Sequence, residues 1–274
     1  MQSYAEKIEE QLYELVRNHF KTDLAFYALQ FLEHKCKEKH LFGGLTVLHY
    51  RMFGGQSEHI YRVAAAMELA ILSLDIFDDL QDEDQPNIIW RQCPQAIAMN
   101  AALGFVLLAR QSLMSSELDK ERLLQVEACW DRSLLTAVNG QTTDLLNRIA
   151  TEEEYYQMIR EKSSSLVVMA CMTGTLLSTG YWNETVEKYA CELGFASQLK
   201  NDIRDLVNWD SKNDFLQRKR TLLTLYLMKY APLIRNGFVI ILRAILILVT
   251  RCTVKKKLKN SFNPQEHFCI LKYK

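Results

Sequence analysis

AILSLDIFDDLQDEDQP, residues 70–86, is apolar in its first half and crowded with acidic residues in its second. Asp78 and Asp82 are four residues apart, which places them on one face of a helix, with Asp79 beside them and Asp75 one turn earlier. No Lys or Arg lies within four residues of this cluster to relieve the repulsion between like charges. Carboxylates clustered at the end of an apolar helix are typical of a site for a hard cation, and we predict Mg²⁺ ligands at Asp78, Asp79 and Asp82. The alternative is an acidic face exposed to solvent.

Apolar residues also recur at helical spacing before this stretch and into its first half. One stripe runs through Leu12, Leu15 and Val16, and another runs from Val63 to Phe77. The 274 residues include ten Gly and four Pro, and residues 1–232 contain no hairpin-type dipeptide between alternating apolar runs. This composition excludes an all-β fold, and the 49% of hydrophobic residues allows a buried core. The sequence therefore predicts an all-α fold.

Further helices are predicted by the same periodicity after the acidic cluster. Their approximate bounds are 95–115, 121–148, 152–179 and 183–208. Small and turn-forming residues mark the breaks between helices. The predicted breaks are Gly43–Gly44, Gly54–Gly55, Gln85–Pro86, Ser115–Ser116 and Gly180–Asn183. None of these gaps has the composition of a linker between domains, so we assign the helices to one bundle.

The chain has 33 basic and 33 acidic residues, but they are unevenly distributed. Residues 251–274 hold seven Lys or Arg and one Glu, so the rest of the chain carries a net negative charge. We do not expect an acidic body to bind nucleic acid. Seven scattered Cys without a CxxC pair indicate neither a disulfide framework nor a zinc site, and the N-terminal sequence lacks an apolar signal region. We therefore expect a cytoplasmic protein.

Residues 237–250, GFVIILRAILILVT, are almost continuously apolar and rich in β-branched side chains. The run is shorter than the roughly 18 to 20 residues that a spanning helix requires, and Arg243 lies at its middle. One interpretation is a buried last helix. Another is peripheral contact with a membrane through the apolar face and the Lys cluster that follows, and a third is a C-terminus that is not the ancestral one. We divide the chain into a helical domain, 1–232, and an atypical C-terminal segment, 233–274.

A second acidic helix end lies in LGFASQLKNDIRDLVNWD, residues 193–210. Gln198, Asp202 and Asp205 fall on one face at spacings of four and three, with Asn201 beside them. Mg²⁺ is usually held by a few carboxylates together with substrate phosphates. Two such helix ends at the mouth of a bundle can share metal ions and hold a diphosphate. The predicted metal ligands of this motif are Asn201, Asp202 and Asp205.

Five ordered motifs resemble those of the trans-isoprenyl diphosphate synthases. DDLQD at 78–82 resembles their first aspartate-rich motif, DDxxD. GFASQLKNDIRD at 194–205 resembles their second, GxxFQxxDDxxD, with Asn201 in place of its first Asp. Three further stretches are similar to the family's GQxxDL, Lys-Thr and Lys-x-Thr motifs: GQTTDL at 140–145, REKSSSL at 160–166 and KNDFLQRKRTLL at 212–223.

This resemblance covers about residues 45–230 and implies a single-domain helical bundle of the isoprenoid synthase type with a central cavity. It also implies Mg²⁺ as cofactor, an allylic prenyl diphosphate as substrate and a homodimer as the assembly. Lys162 and Lys219 take the places of the family's motif lysines, and Gln198 is carried over with them as a diphosphate-binding residue. The resemblance assigns catalysis to Asp78, Asp82, Asp202, Lys162 and Lys219.

The chain departs from this family where the second substrate, isopentenyl diphosphate, would bind. The family has two arginines and a glycine shortly after DDxxD, whereas this chain has Asn87, Ile88 and Ile89. The candidate for the family's Gly-Lys-x-x-Arg segment, GGLTVLHYR at 43–51, has no Lys in the required place. A diphosphate site cannot lose such charge-assisted donors without losing most of its affinity. We therefore expect one allylic diphosphate site to be intact and the second diphosphate site to be absent.

This pattern is similar to that of the bacterial isoprenyl transferases that modify the tryptophan of a pheromone precursor peptide during quorum sensing for competence. The resemblance implies transfer of a geranyl or farnesyl group from its diphosphate to a peptide indole. One alternative is a chain-elongating polyprenyl diphosphate synthase, and another is a non-catalytic helical partner subunit. A class I terpene cyclase fits less well, because its second motif does not end in the residue types found at Asp205 and Trp209.

Several other conspicuous side chains are given structural interpretations. Asp144 and Gln141 are as suited to bracing neighbouring helices as to contacting substrate. Phe77 and Trp90 are more typical of a core than of a substrate-stacking surface. The histidines of the first 59 residues form no ligand spacing with the acidic motifs, and we expect them to be structural or exposed. They are His19, His34, His40, His49 and His59.

Overall fold

The computed structural model describes residues 3–82, 85–207, 219–222 and 224–226, and for 205–207 it describes the backbone. Within these residues the chain forms nine α-helices and no β-strand, which confirms the all-α prediction. The helices are α1 (Tyr4–His19), α2 (Thr22–Lys35), α3 (Leu41–Met52), α4 (Ile60–Gln81), α5 (Gln95–Met114), α6 (Lys120–Leu146), α7 (Glu152–Ile159), α8 (Ser165–Thr179) and α9 (Glu184–Val207).

Helix α4 lies at the centre of the bundle because it is apolar on almost every side. Most of its residues between Ile60 and Ile76 are buried, and Met67, Leu69 and Leu72 have no exposed surface. A helix that is apolar all round is stable only in a protein interior. Helices α1, α3 and α5 pack around it. This packing carries the C-terminal end of α4, with its acidic cluster, into the bundle.

Four of the five predicted breaks are confirmed, but the predicted break at Gly43–Gly44 is wrong, because both glycines lie inside α3. A Cβ atom on Gly43 would lie 3.0 Å from the carbonyl oxygen of Ala64 and 3.1 Å from Cγ of Glu68, both in α4. The Gly43 amide also donates a hydrogen bond of 2.6 Å to Oε1 of Glu68. The absence of a side chain therefore lets α3 approach α4 closely and does not end the helix.

The segment predicted as one helix, 152–179, is continuous but not uniform. Helix α7 passes into a π-helical turn, Arg160–Ser164, which leads directly into α8. A capping box starts α7, in which the Thr151 hydroxyl accepts from the Glu154 amide and the Glu154 carboxylate accepts from the Thr151 amide. Helix α8 ends at Gly180, whose φ of 74° is a left-handed conformation that suits glycine. The sequence predicted both ends of this segment but not its π turn.

Helix α5 is the one helix in the described part of the chain with the length and apolar composition to cross a membrane. In its most apolar window 44% of the residues are buried, and the buried side includes Ala102 and Phe105. The same properties are found in core helices of proteins that do not span membranes. The other side of α5 exposes Met99, Leu103 and Leu107, which lie four residues apart and form one apolar stripe.

The predicted C-terminal segment, 233–274, lies outside the described residues, and so does the apolar run at 237–250 within it. The division of the chain at residue 232 and the three interpretations of that run stay predictions.

Candidate active site

The first acidic motif lies at the end of α4, and its aspartates have different surroundings. Asp78 is partly exposed, whereas Asp79 and Asp82 are buried. Asp82 ends the helix, and its amide donates a hydrogen bond of 2.9 Å to the carbonyl oxygen of Asp78. Asp75 has a separate partner, because its carboxylate accepts a hydrogen bond of 2.8 Å from Lys35 of α2. The carboxylates predicted on one helix face therefore have partners from different parts of the bundle.

Lys162 reaches the first motif from the π turn. Its Nζ donates hydrogen bonds to Oδ1 of Asp78 at 3.0 Å and to Oδ2 of Asp144, at the end of α6, at 2.7 Å. Burial alone would lower the pKa of this ammonium group, but the charges of Asp78 and Asp144 more than offset burial and raise the pKa. Lys162 is therefore charged and joins α4 to α6.

Two glycines allow the π turn to lie against its neighbours. A Cβ atom on Gly140 of α6 would lie 2.2 Å from the amide nitrogen of Lys162. A Cβ atom on Gly194 of α9 would lie 2.6 Å from Cα of Ser164. Real Cβ atoms do not approach a neighbouring backbone this closely, so a larger residue would displace the turn. Gly140 is the first residue of the GQTTDL motif and Gly194 is the first residue of the GFASQLKNDIRD motif. Both help to position Lys162.

Asp144 is the residue that both predicted lysines share. Lys219 forms an ion pair with Asp82, and its Nζ lies 3.8 Å from Oδ2 of Asp144. Burial would raise the pKa of Asp144, but the charges of Lys162 and Lys219 outweigh burial and hold that pKa below the ordinary value. At Asp82 the balance is reversed, because burial and the charge of Asp78 raise the pKa more than Lys219 lowers it.

Asp79 is held by neutral donors from the loop after α4. Its Oδ2 accepts a hydrogen bond of 2.9 Å from the indole nitrogen of Trp90, and its Oδ1 accepts one of 3.0 Å from Nε2 of Gln85. Burial raises the pKa of Asp79 to about 6, although the Trp90 hydrogen bond opposes the shift. Through these two contacts Asp79 orients the loop after α4, and its predicted role as a metal ligand stays untested.

Among the described residues, uncharged groups donate hydrogen bonds to the second acidic motif. The hydroxyl of Tyr155 in α7 donates a hydrogen bond to Oδ2 of Asp202, and Nε2 of Gln198 donates one of 2.8 Å to Oδ1. The Ser163 hydroxyl, on the π turn, donates in turn to Oε1 of Gln198 at 2.8 Å. Burial and the negative charge of Asp202 raise the pKa of Tyr155 well above its ordinary value, so this phenol stays protonated. The network fixes the orientation of the Asp202 carboxylate.

The two motifs line one cavity of about 170 Å³. Every predicted site residue whose side chain the structure describes lies on its wall: Asp78, Asp79, Asp82, Lys162, Gln198, Asn201, Asp202 and Lys219. Asp205 belongs to α9, but its side chain lies outside the described residues. A more open cleft of about 570 Å³, whose lining includes Lys7, Glu58 and Glu117, shares no lining residue with this cavity. The predicted chemistry is therefore concentrated at one place in the bundle.

Three residues of the site were not predicted to act there. The sequence leaves Asp144 open between bracing neighbouring helices and contacting substrate. It predicts a core position for Trp90, and that side chain is 4% exposed. Tyr155 received no assignment. Each of the three contacts a predicted residue that lies in a different element, so spacing on one helix could not reveal the contact. The position of Asp144 inside the GQTTDL motif was the one available signal.

The donor set of the cavity fits a hard cation. The first motif offers the carboxylate of Asp78, which remains partly exposed to the cavity, and the second offers the side chains of Asn201 and Asp202. Carboxylate and amide oxygens are preferred ligands of Mg²⁺. Lys162 and Lys219 lie among these oxygens and can bind the oxygens of an anion that enters with the cation. The arrangement suits a polyanion bound together with metal ions.

The structure also describes the place where a second diphosphate would need cationic donors. Asn87 is exposed, and Ile88, the next residue, is 9% exposed and belongs to the apolar core. The guanidinium of Arg51, at the end of the GGLTVLHYR stretch, donates to Glu58 at 2.7 Å and to the carbonyl oxygen of Gly55 at 3.1 Å. Residues 43–51 and 87–89 therefore provide no cluster of cations for a second diphosphate.

Comparison with known proteins places this site in a family. The model of the polyprenyl synthetase family matches residues 29–236, which is most of the chain and includes both acidic motifs. The chain belongs to the polyprenyl synthetase family. Among solved structures of this fold, the chain is similar to a geranylgeranyl pyrophosphate synthetase from the archaeon Geoglobus acetivorans. The TM-score is 0.76 and the identity 21%, over 93% of this chain and 84% of the other.

Within the family, the chain is also similar to curated relatives that are named tryptophan prenyltransferases. It is 36% identical to the tryptophan prenyltransferase ComQ of Bacillus spizizenii over 223 residues, which are 80% of this chain and 76% of the relative. It is 35% identical to the ComQ protein of Bacillus subtilis strain 168 over 214 residues, which are 78% and 69% of the two chains. The predicted resemblance to the family, and to its tryptophan-modifying branch, is confirmed.

Proposed function

We propose that this protein transfers an isoprenyl group from an allylic diphosphate, geranyl or farnesyl, to a tryptophan of a pheromone precursor peptide. The observation that carries the proposal is the asymmetry of the site. One set of acids and lysines suited to a diphosphate is complete, whereas the position for a second set is occupied by Asn87 and the buried Ile88. The identity to two tryptophan prenyltransferases supports a neutral acceptor in place of a second diphosphate.

The donor diphosphate would lie between the two acidic motifs. Asp78, Asp82 and Asp202, together with Asn201 and Asp205, are the residues that would hold Mg²⁺ there. When bound, Mg²⁺ supplies neutralisation of the negative charge on the leaving diphosphate.

Lys162 and Lys219 would supply hydrogen bonds to the diphosphate. Each lysine is now shared between two carboxylates, so an incoming diphosphate can take over one of those contacts. Ammonium groups already held at the site strengthen their interaction with the leaving oxygen as its charge grows.

The transfer itself is an electrophilic alkylation. The bond between C1 of the prenyl group and the diphosphate oxygen breaks, and the oxygen keeps the electron pair. The indole C3 then donates an electron pair to C1 and forms the new carbon–carbon bond. Because C3 already carries the side-chain methylene, the alkylated ring is an iminium cation. It becomes neutral when the indole N–H bond breaks and the proton passes to solvent or to the released diphosphate.

The allylic cation needs an apolar wall that contributes no nucleophile. Ser73 and Leu74 lie about one turn before Asp78 on α4. The Ser73 side chain is buried, and its hydroxyl donates a hydrogen bond of 2.7 Å to the carbonyl oxygen of Ala102 in α5. This contact occupies its proton and holds the hydroxyl against α5. Leu74 and its neighbours can then exclude water from the reacting carbon.

The direct test is incubation of the full chain with farnesyl or geranyl diphosphate, Mg²⁺ and a Trp-containing peptide. Mass spectrometry should detect a peptide heavier by one prenyl group, and a matched peptide with Phe for Trp should stay unmodified. A parallel reaction replaces the peptide with isopentenyl diphosphate. Accumulation of longer prenyl diphosphates with no peptide product would identify a chain-elongating synthase. No turnover of either acceptor would favour a non-catalytic partner subunit.

A homodimer is the assembly that we favour. The stripe on α5, with Leu103 52% and Leu107 60% exposed, is joined by exposed apolar residues of α6 such as Leu135 and Val138. Apolar surface of this kind on neighbouring helices is typical of a surface covered by another protein chain. Light scattering should give twice the monomer mass for the parent chain and the monomer mass for Leu107→Glu. A monomeric parent would contradict the dimer, and detergent-dependent solubility would indicate a membrane instead.

The cellular setting is also a proposal. A pheromone precursor made inside the cell would meet this enzyme in the cytoplasm, in a quorum-sensing pathway that controls competence. Peripheral membrane contact through residues 237–250 and the Lys cluster at 255–257 is tested by sedimentation of the full chain with anionic vesicles. Replacing the three lysines by Gln should reduce sedimentation. Equal recovery of both chains in the supernatant would remove the membrane from the proposal.

A further inference from the structure

The junction of α1, α2 and α3 holds a second group of side chains suited to metal binding. Glu9 of α1, Cys36 at the end of α2 and His40 just before α3 each offer one ligand atom. These atoms, a carboxylate oxygen, a thiol sulfur and an imidazole nitrogen, all lie within 4.8 Å of one another. None of the three residues lines the catalytic cavity. The group is formed by three different segments of chain, which is why sequence spacing did not predict it.

Two buried polar atoms at this junction have no hydrogen-bond partner among the described residues. They are Nδ1 of His40 and Oε2 of Glu68, a residue of α4. The side chain of His40 is 2% exposed, and Glu68 is 1% exposed. Burial of a polar atom without a partner is unfavourable, so these atoms indicate that the junction accommodates a further group.

The junction brings carboxylates close to an imidazole and a thiol. Nε2 of His40 lies 3.1 Å from Oε1 of Glu9, and Glu68 is close enough for its charge to act on Cys36. Burial, followed by the charge of Glu9, raises the pKa of the Cys36 thiol to about 12. A cysteine thiol carries its proton at neutral pH unless a positive charge stabilises its thiolate. A divalent cation between the three side chains would offset the negative charge of Glu9 and stabilise the thiolate.

We propose that Glu9, Cys36 and His40 bind a zinc ion that fastens α1 to the connection between α2 and α3. A ligand set of one sulfur, one nitrogen and one oxygen suits Zn²⁺ and disfavours Mg²⁺, which prefers oxygen ligands alone. The fourth position is left to a water molecule or to Glu68. On binding, the Cys36 S–H bond breaks, the sulfur donates its electron pair to Zn²⁺, and one proton is released to solvent.

The consequence for the fold is local. Lys35, the residue before Cys36, donates to the carboxylate of Asp75 on α4 at 2.8 Å. An ion at the junction would therefore hold the end of α2 in the position from which Lys35 reaches the acidic helix. This role is structural and separate from the Mg²⁺ site of the proposed reaction.

The experiment uses Co²⁺ as a probe of the full chain after removal of metals with a chelator. Cys252 and Cys269 are replaced by Ser in every sample, so that the C-terminal segment contributes no thiolate. One equivalent of Co²⁺ should produce a thiolate-to-cobalt charge-transfer band, and one equivalent of Zn²⁺ should abolish it. Co²⁺ bound by the catalytic carboxylates gives no such band, so the two sites are distinguished. Zn²⁺ addition should also release one proton per chain at neutral pH.

Variants then locate the site. Cys36→Ser should lose the band and weaken Zn²⁺ binding by at least about a hundredfold, since a direct ligand matters no less than its supporting groups. The matched control, Cys191→Ser, removes a partly exposed thiol of α9 and should leave band and affinity unchanged. No band in the parent chain, or the same band in Cys36→Ser, would overturn the proposal.

A second pair of variants covers the case in which Cys36→Ser does not fold. Glu9→Gln and His40→Gln keep the size of each side chain and should each weaken Zn²⁺ binding at least about tenfold. Circular dichroism without metal confirms that each variant retains its helices. Unchanged Zn²⁺ affinity in both variants would mean that the junction is a hydrogen-bonded cluster only.

Discussion

The two acidic helix ends line the same cavity but are stabilised in different ways. At the end of α4, Asp78 and Asp82 are paired with the cations Lys162 and Lys219. At the end of α9, Asp202 accepts hydrogen bonds from the neutral donors Tyr155 and Gln198. An ion pair can exchange its partner when another charge arrives, whereas a neutral donor orients a carboxylate without cancelling its charge. The ion pairs at the end of α4 are therefore suited to exchange, whereas the hydrogen bonds from Tyr155 and Gln198 hold the orientation of Asp202.

The largest effect on prenyl transfer is expected from removing a charge at the end of α4. Asp78→Asn keeps the volume of the side chain but removes the charge that pairs with Lys162 and would bind a cation. Prenyl transfer should fall by roughly two orders of magnitude or more, with an unchanged helical circular dichroism signal. Asp131→Asn, on the exposed surface of α6, is the control and should keep full activity. Full activity in Asp78→Asn would refute the role of the first motif.

The second effect concerns the cation at the same end. Lys162→Met leaves Asp144 buried without its nearest counter-charge, and we expect a loss of about 2–3 kcal/mol of unfolding free energy at neutral pH. In the parent chain the lowered pKa of Asp144 stabilises the fold above the ordinary aspartate pKa, and this contribution is lost as the pH falls.

Denaturant unfolding measured at several pH values tests this expectation. The difference between Lys162→Met and the parent chain should shrink as the pH approaches 4 and below, roughly the ordinary pKa of an aspartate. Lys200→Met removes an exposed lysine of α9 and should change stability little at any pH. A deficit in Lys162→Met that does not vary with pH would show that the lost packing, and not the lost charge, is responsible.

A third, intermediate effect tests the backbone that carries Lys162. Gly140→Ala would place a Cβ atom 2.2 Å from the Lys162 amide nitrogen, so α6 and the π turn must separate. We expect a loss of about 1–3 kcal/mol of stability together with lower prenyl transfer. Gly44→Ala is the matched control, because its Cβ atom would meet only Cε2 of Tyr4 at 3.5 Å. That variant should be neutral or stabilised by about 0.5–1 kcal/mol. Equal melting temperatures for the two variants would contradict the close approach.

The smallest effect is expected from replacing Asp79, the aspartate of the first motif that accepts hydrogen bonds from neutral donors. The pKa of Asp79 is raised to about 6, so its protonation stabilises the fold fully below the ordinary aspartate pKa, and this contribution is lost as the pH rises through about 6. Asp79→Asn should therefore flatten the melting temperature between about pH 4 and 6. Prenyl transfer should fall less than in Asp78→Asn. A melting profile identical to that of the parent would show that Asp79 titrates normally.

The sequence predicted those features that depend on neighbours along one helix. Periodic apolar residues predicted the helices, and spacings of three and four predicted the faces of both acidic motifs. It did not predict that Asp144 pairs with Lys162, or that Tyr155 holds Asp202, because these contacts join different helices. The glycine pair at 43–44 was mistaken for a break for the same reason. A glycine that ends a helix and a glycine that admits a second helix look alike until the partner, here α4, is known.

The π turn has a consequence for how the chain tolerates change in length. A π-helical turn holds one more residue than the α-helical turn it replaces, so the helix after it is rotated relative to the helix before it. Deletion of Ser163 would restore a regular helix from α7 to α8. It would also turn the side chains on one side of the deletion by about 100° relative to the other. Lys162 and the buried residues of α8 could then no longer face their partners together, although circular dichroism would record more regular helix. The irregular turn therefore fixes the phase between Lys162 and the core.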